Sequence, residues 1–183
     1  MFKLYNILLF LLLHSIIAFS NSDNLLKNGD FEHKGFTVAS KNWKYKSAWA
    51  EVDVTYKRIF DKDRDGFVQH IRCESFKHGA VQFVQSGVPI QTGETYRVSL
   101  WAKGDINVPL EILFRKHGNP YTTYFSKAFK ISDEWKKYSF VAPVNVTDSS
   151  TYFMFRFTSK GDIYLDDISV IPVDDLSIDS HQN

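Results

Sequence analysis

The chain has 183 residues, with 22 lysines and arginines against 21 aspartates and glutamates, so its formal net charge at neutral pH is +1. This balance provides no general positive charge for nucleic acid or anionic lipid, and we expect neither as a partner. Cys73 is the single cysteine, which excludes an internal disulfide. We expect its thiol to be buried as a small apolar group, with an intermolecular disulfide as the alternative.

The first 20 residues are predicted to be a secretory signal peptide. Lys3 is their single charged residue, an apolar run over 7–19 follows, and small residues precede a cleavage position after Ser20. The run of about 13 residues is shorter than the roughly 20 that span a bilayer, and His14 within it disfavours the alternative of an uncleaved anchor. Cleavage would leave 21–183, a single exported domain without membrane insertion.

The remaining chain reads as short strands separated by turns. In the segment 95–103, Tyr96, Val98 and Leu100 alternate with Arg97 and Trp101, which is the pattern of a half-buried strand. Similar segments rich in β-branched and aromatic residues lie at 50–56, 68–74, 80–85, 110–115, 135–142, 151–158 and 162–171.

Glycine-containing turn signals separate these segments, and none keeps a helical apolar period over ten positions. Many short strands at regular spacing predict an all-β protein, an antiparallel β-sandwich over 21–173. The last ten residues, 174–183, are polar and acidic, and we expect a flexible tail there.

The segment 61–72 has aspartates spaced as in an EF-hand calcium loop. Asp61, Asp63 and Asp65 take those positions, but Arg72 stands where the loop needs a glutamate, and both flanks are predicted strands. We therefore interpret the segment as a charged hairpin turn, with a calcium site of another kind as the alternative.

Four segments in order resemble carbohydrate-binding modules of families 4 and 9. They are NLLKNGDFE (24–32), GVPIQTGETYRVSLWAKG (87–104), WKKYSFVAP (135–143) and DIYLDDISVI (162–171). The resemblance implies a jelly-roll sandwich of the galactose-binding-like type, and a non-catalytic, secreted, monomeric module that binds a polysaccharide or another glycan. Family members are often appended to glycoside hydrolases.

The resemblance also implies a structural calcium near the ends of the first and last strands. It assigns Glu32 to the opening ligand and either Asp166 or Asp167 to the closing one, and the turn at Asn28 exposes further oxygens. The chemistry agrees, since calcium prefers carboxylate and carbonyl oxygens. Because neighbouring strand residues point to opposite faces, the two carboxylates cannot both lie unpaired in a packed core, and at least one needs a cation or solvent. The alternative is that both lie at a strand end in water.

Sugar binding is expected on an outer sheet face that presents aromatic and polar side chains. An exposed tryptophan offers a flat apolar surface to a sugar ring, and arginine, glutamine and histidine bond its hydroxyls. Trp101 with Arg97 is the first candidate pair, and Trp101 as a structural residue is the alternative. The other ligand candidates are Trp49, His70, Arg72, Gln85 (or Gln82), Arg115, Tyr124 (with Tyr121) and Arg156.

Two other classes of function remain as alternatives. A small glycoside hydrolase needs two carboxylates, for which Glu51 and Glu111 are the mid-strand candidates. An extracellular structural or adhesive protein would use the same sandwich to bind another protein. Asn145 begins an N-glycosylation sequence, which matters where the source glycosylates its exported proteins.

Overall fold

The computed structural model describes residues 23–35 and 39–173. The predicted signal peptide and the predicted tail, 174–183, lie outside the described residues. Ten strands make up the fold. They are β1 (Lys44–Tyr45), β2 (Glu51–Asp61), β3 (Gly66–His78), β4 (Val81–Ile90), β5 (Thr95–Gly104), β6 (Leu110–Lys116), β7 (Thr123–Phe129), β8 (Lys136–Pro143), β9 (Asp148–Phe157) and β10 (Gly161–Val173). Within these ranges, no helix is long and apolar enough to cross a membrane.

The strands form two five-stranded antiparallel sheets. Sheet 1 has the order β1-β4-β9-β6-β7, and sheet 2 has the order β2-β3-β10-β5-β8. Strands that follow one another in the chain mostly lie in different sheets, since β3 to β4, β4 to β5, β5 to β6 and β7 to β8 each cross the sandwich. The predicted antiparallel jelly-roll sandwich is therefore confirmed.

Strict alternation in the strands produces the core between the sheets. On β9, Phe153, Phe155 and Phe157 all point inward and are buried. Trp43 lies on the same core and stacks on Phe83 with 4.9 Å between ring centroids. This aromatic packing supplies apolar burial in a chain without a disulfide.

The opening segment lies beside the end of the last strand. The amide of Leu25 donates to the carbonyl of Val170 at 2.9 Å, and the amide of Ile168 donates to the carbonyl of Gly29 at 2.9 Å. A side chain at Gly29 would lie 2.1 Å from the Ile168 carbonyl oxygen, so only glycine permits this approach. The described ends of the sandwich are thereby joined.

The sequence prediction missed two strands of sheet 1. The first, β1, has only two residues, and the second, β7, lies in a stretch for which no strand was predicted. Both are edge strands. No residue of β7 is buried, so it lacks the apolar alternation by which half-buried strands are identified.

Candidate functional site

The outer face of sheet 1 carries three rows of side chains across neighbouring strands. In one row, Arg156 of β9 lies between Gln82 of β4 and Glu111 of β6. In the next row, Met154 lies between Val84 and Leu113. The third joins Ser86, Tyr152, Arg115 and Thr123. Because alternate residues of a strand share a face, these rows stand opposite the phenylalanines of the core.

The middle row forms an apolar floor. Val84, Met154 and Leu113 are buried although they point away from the core between the sheets, and Tyr152 packs with them. Two of these side chains, Met154 and Tyr152, line an open cavity of about 470 Å³. A volume in this range is typical of a site for a small ligand or a few sugar units.

Two exposed aromatic side chains border the floor. Trp49 is 58% exposed and precedes β2, and Tyr121 is 50% exposed and lies in the β6–β7 loop. Both line the cavity or its continuation. Gly79, with φ of +96°, lies beside Trp49, and a Cβ there would meet Ala50 at 2.5 Å. Glycine at this turn therefore lets the segment with Trp49 lie against β4.

Polar groups line the same cavity. The Nε of Arg115 donates to the carbonyl of Tyr121 at 3.1 Å, and its guanidinium lies 4.8 Å from the Tyr121 ring centroid. Lys46 lies 5.7 Å from the Tyr152 ring centroid. The side chain of Gln82 forms no hydrogen bond to any other described residue, so its amide is available to a ligand. We call this set of lining residues the groove: Lys46, Trp49, Gly79, Ala80, Gln82, Leu113, Arg115, Tyr121, Thr123, Tyr152, Met154 and Arg156.

Three residues predicted as ligands from the sequence lie together in the groove. They are Trp49, Arg115 and Arg156. Arg156 also forms an ion pair with Glu111 at 3.4 Å. Their role as ligands stays a prediction, but their placement on one outer face agrees with it.

Two other predicted ligands of sheet 1 do not reach the groove. Gln85 is buried and both ends of its amide bond the backbone of Lys27, with the carbonyl oxygen accepting at 2.7 Å. Tyr124 packs against the core and its hydroxyl donates to Asp148 at 3.0 Å. Gln82, the alternative to Gln85, lines the groove instead. So does Tyr121, which was named together with Tyr124.

Four predicted ligands lie on the outer face of sheet 2, apart from the groove. Trp101 and Arg97 share that face of β5, as the alternation predicted, because Tyr96, Val98 and Leu100 are buried on the other side. The guanidinium of Arg64 lies 4.3 Å from the Trp101 ring centroid.

Two further candidates, His70 and Arg72, lie on β3 in the same sheet. The Nε2 of His70 forms a hydrogen bond with Asp162, and its ring stacks on Tyr164 with 4.4 Å between ring centroids. Arg72 pairs with Glu74 at 3.2 Å. Several of these sheet 2 side chains therefore already have partners within the protein.

The sequence reasoning missed seven groove residues: Gly79, Ala80, Thr123, Lys46, Leu113, Tyr152 and Met154. A signal for the last two was present in the segment 151–158. Phenylalanines stand at the odd positions 153, 155 and 157 and are expected on the core face. The even positions between them therefore place Tyr152, Met154 and Arg156 together on the outer face. Lys46 and Leu113 are recognisable only after the order of strands in the sheet is known.

The aspartates assigned to calcium contact an arginine. Asp166 accepts from Nε of Arg64 at 2.8 Å, and Asp167 accepts from an Nη of the same guanidinium. The expectation that the two carboxylates point to opposite faces is wrong. A register shift in β10 between Asp166 and Ser169, together with φ of 46° at Asp167, brings both to one side.

The other assigned residues are also engaged. The amide of Phe67 donates to Glu32 at 2.8 Å, and Arg58 lies 3.8 Å from its second oxygen. The Asn28 side chain accepts from the His33 amide and donates to the Lys41 carbonyl.

In the part of the chain that the structure describes, no group of three or more acidic, histidine or cysteine residues is arranged to hold a metal. The arrangement at Asp166 and Asp167 therefore fits a guanidinium, and calcium there stays a prediction that requires Arg64 to move away.

The remaining sequence candidates have ordinary structural settings. Asp61 closes β2 next to a hairpin turn and accepts from Lys103 at 2.9 Å, which agrees with the interpretation of 61–72 as a charged hairpin. Cys73 is buried and free, as expected. Asn145 is exposed between β8 and β9. Glu51 is the first residue of β2 rather than a mid-strand residue.

Comparison with known proteins gives distant similarity to two plant enzymes. The chain is 22% identical over 162 residues to alpha-L-arabinofuranosidase 2 of Arabidopsis thaliana and 23% identical to alpha-L-arabinofuranosidase 1 of the same organism. The match covers 82% of this chain, which spans about a quarter (24%) of the length of each relative.

Solved structures show the same fold. A CBM4 structure superposes with a TM-score of 0.63 at 21% identity, covering 80% of this chain and 99% of that chain. The N-terminal cellulose-binding domain of β-1,4-glucanase C from Cellulomonas fimi superposes with a TM-score of 0.55 at 16% identity, covering 79% of this chain and 94% of the other.

The family assignment rests on the greater part of the chain. The model of the CBM 4/9 family, described as "Carbohydrate binding domain", matches residues 23–161. This range contains nine of the ten strands and every residue of the groove. The chain therefore belongs to the family of carbohydrate binding domains CBM 4/9.

Proposed function

We propose that the groove of sheet 1 is the site at which this carbohydrate-binding domain holds a poly- or oligosaccharide, and that the chain acts as an exported, non-catalytic module. The observation that carries the proposal is the pair of half-exposed aromatic side chains, Trp49 and Tyr121, beside an apolar floor that is lined by polar groups such as Gln82 and Arg115. Aromatic faces stack on the apolar faces of sugar rings, while Gln82 and Arg115 supply hydrogen bonds to hydroxyl groups.

The absence of paired carboxylates in the groove supports a binding role. Retaining and inverting glycosidases place two carboxyl groups about 5–5.5 Å or 6.5–9.5 Å apart around the scissile bond. None of the lining residues of the groove, as described, is an aspartate or a glutamate. Glu111 stands beside the groove, but it is bonded to Arg156 and Ser126. The proposal of export rests on the predicted signal peptide alone.

The groove assignment is tested by truncating one tryptophan on each sheet. Trp49→Ala removes an exposed aromatic surface, so we expect the affinity for a bound glycan to fall by about 1–3 kcal/mol with little loss of stability. Trp101→Ala is the matched control on sheet 2. We expect it to keep glycan affinity while losing stability, because Arg64 packs on its ring.

A glycan array on the purified chain, followed by calorimetric titration of the best ligand, measures both variants. Loss of affinity in Trp101→Ala with none in Trp49→Ala would assign binding to sheet 2. No binding to any glycan of the array would contradict the proposed function itself.

A further inference from the structure

The charge of the groove differs from that of the chain. Three basic side chains, Lys46, Arg115 and Arg156, line it, and no acidic residue does so among those described. The chain as a whole is almost neutral, with a formal net charge of +1. Positive charge is therefore concentrated at the face where a ligand is expected.

Among the described residues, two of the three cations have no counterion. Arg156 is balanced by Glu111 at 3.4 Å. Within the described ranges, no carboxylate lies within ion-pair distance of Lys46 or Arg115, whereas Arg58, Arg64, Arg72 and Lys103 each have an acidic partner. An uncompensated positive charge beside a low-polarity floor attracts an anionic ligand more strongly than the same charge in open water.

The orientation of Arg115 adds a geometric argument. Its Nε bonds the Tyr121 carbonyl and its plane lies over the Tyr121 ring, so the guanidinium is held at one place. The two Nη groups form no hydrogen bond to another described residue. A guanidinium oriented in this way can donate hydrogen bonds from its Nη groups to both oxygens of one carboxylate, which a flexible lysine does less specifically.

We propose that the groove binds an anionic glycan, with a uronic-acid carboxylate held by Arg115 and Lys46 and neighbouring sugar rings against Trp49 and Tyr121. This rests on the proposed function of the groove. The shared chemistry is a negatively charged group on a sugar ring, and a sulfate ester is the second possible source of that charge.

The test compares ligands that differ only in charge. Oligogalacturonate and its carboxyl-reduced counterpart have the same backbone, and dextran sulfate paired with dextran tests the other source of charge. We expect the full chain to bind oligogalacturonate at least about tenfold more tightly than the reduced oligomer, since hydrogen bonds to charged groups are the stronger ones. The preference should shrink as ionic strength rises from about 0.05 M to about 0.5 M.

Variants locate the effect. Arg115→Gln and Lys46→Gln should each lower the affinity for the charged oligomer several-fold more than the affinity for the reduced oligomer, so that the preference for the charged oligomer shrinks. Arg97→Gln is the matched control, because it removes the same charge from an exposed position on sheet 2. It should leave the preference intact. Thermal unfolding of each variant confirms that it is folded, and two independent groove variants protect the test against misfolding of one.

The outcomes separate this inference from the proposed function. Equal affinity for the charged and reduced oligomers would overturn the anionic preference and leave sugar binding in place. A preference lost equally in Arg97→Gln would also overturn it, since net charge would then explain the effect. Preference for dextran sulfate over dextran, lost in Arg115→Gln, would support an anionic groove with sulfate as the source. Absence of binding to every charged and neutral glycan would contradict both proposals.

Discussion

Arg64 is the residue on which the charge balance at the end of β10 depends. It bonds Asp166 and Asp167 and packs on Trp101. Removing one partner of a largely buried ion pair leaves an unpaired charge behind. We therefore expect Arg64→Gln to lower the free energy of unfolding by about 3 kcal/mol. Arg72→Gln, whose partner Glu74 is half-exposed, is the control and should cost less than about 1 kcal/mol.

The same variant tests the predicted calcium. Because the guanidinium and a calcium ion compete for the same carboxylate oxygens, we expect calcium to raise the unfolding midpoint of Arg64→Gln by more than it raises that of the unmodified chain. Thermal unfolding with calcium and with a chelator measures this. An equal rise in the unfolding midpoint of both proteins would refute competition at this position. No rise in either protein would contradict the predicted calcium site.

Asp166 also predicts a pH dependence of stability. Burial raises the pKa of Asp166 from 3.8 to about 6, although the hydrogen bond from Arg64 opposes the shift. A carboxyl whose pKa is higher in the folded state binds its proton more tightly there, so its contribution is present below about pH 4 and is lost as pH rises through about 6.

The measurement is denaturant unfolding at several pH values between about 4 and 7 for the unmodified chain and Asp166→Asn. The difference in unfolding free energy between the two proteins should change across this range, with the unmodified chain relatively more stable at the acidic end. A difference that stays constant with pH would show that Asp166 does not titrate there. Asp61 does not contribute to this pH dependence. Partial burial raises its pKa, but the hydrogen bond and the positive charge of Lys103 outweigh burial and hold the pKa below its usual value of 3.8.

At the scale of elements, alternation predicted the strands that bury one face and failed for those that do not. The strand β5 was predicted at 95–103 and found at Thr95–Gly104, because its inward residues are all apolar. The edge strand β7 has no buried residue, and the alternation predicted no strand there. Strands β2 and β3 were also predicted too short: their pairing continues through Phe60 and Phe67 to the hairpin turn at 62–65, and β3 extends to His78 at its other end.

The site was less predictable than the strands because alternation assigns a face but not a sheet. Trp101 was correctly placed outside the core, yet its strand pairs with β10 and β8, and Trp49 lies beside the other sheet. Which strands are neighbours depends on contacts between residues far apart in sequence, such as Gln82 with Arg156. A single sequence contains little information on these pairings. The irregular turn at Asp167 shows the same limit, since a bulge reverses the faces that a regular strand would give.

For the whole molecule, the two outer faces have different contents. Sheet 2 carries ion pairs and stacked side chains that are satisfied within the protein, including those of Arg64, His70 and Lys103. The groove on sheet 1 has the exposed Trp49 and Tyr121 and the cations Lys46 and Arg115, for which the described residues supply no counterion, although sheet 2 also has an exposed aromatic side chain, Phe60. This distribution predicts that changes on sheet 2 act on stability and changes in the groove act on binding.

Ligand-induced stabilisation measures both properties in one experiment. A ligand at about 100 times its dissociation constant stabilises the folded state by about 2.7 kcal/mol, which for a domain of this size is about 5–10 °C in the unfolding midpoint. At the same ligand concentration, we expect Trp49→Ala to begin near the unmodified midpoint and to lose most of this increment. Trp101→Ala should begin lower and keep the increment in full. A variant of Trp101 that loses the increment, or a variant of Trp49 that keeps it, would contradict the division of binding and stability between the two faces.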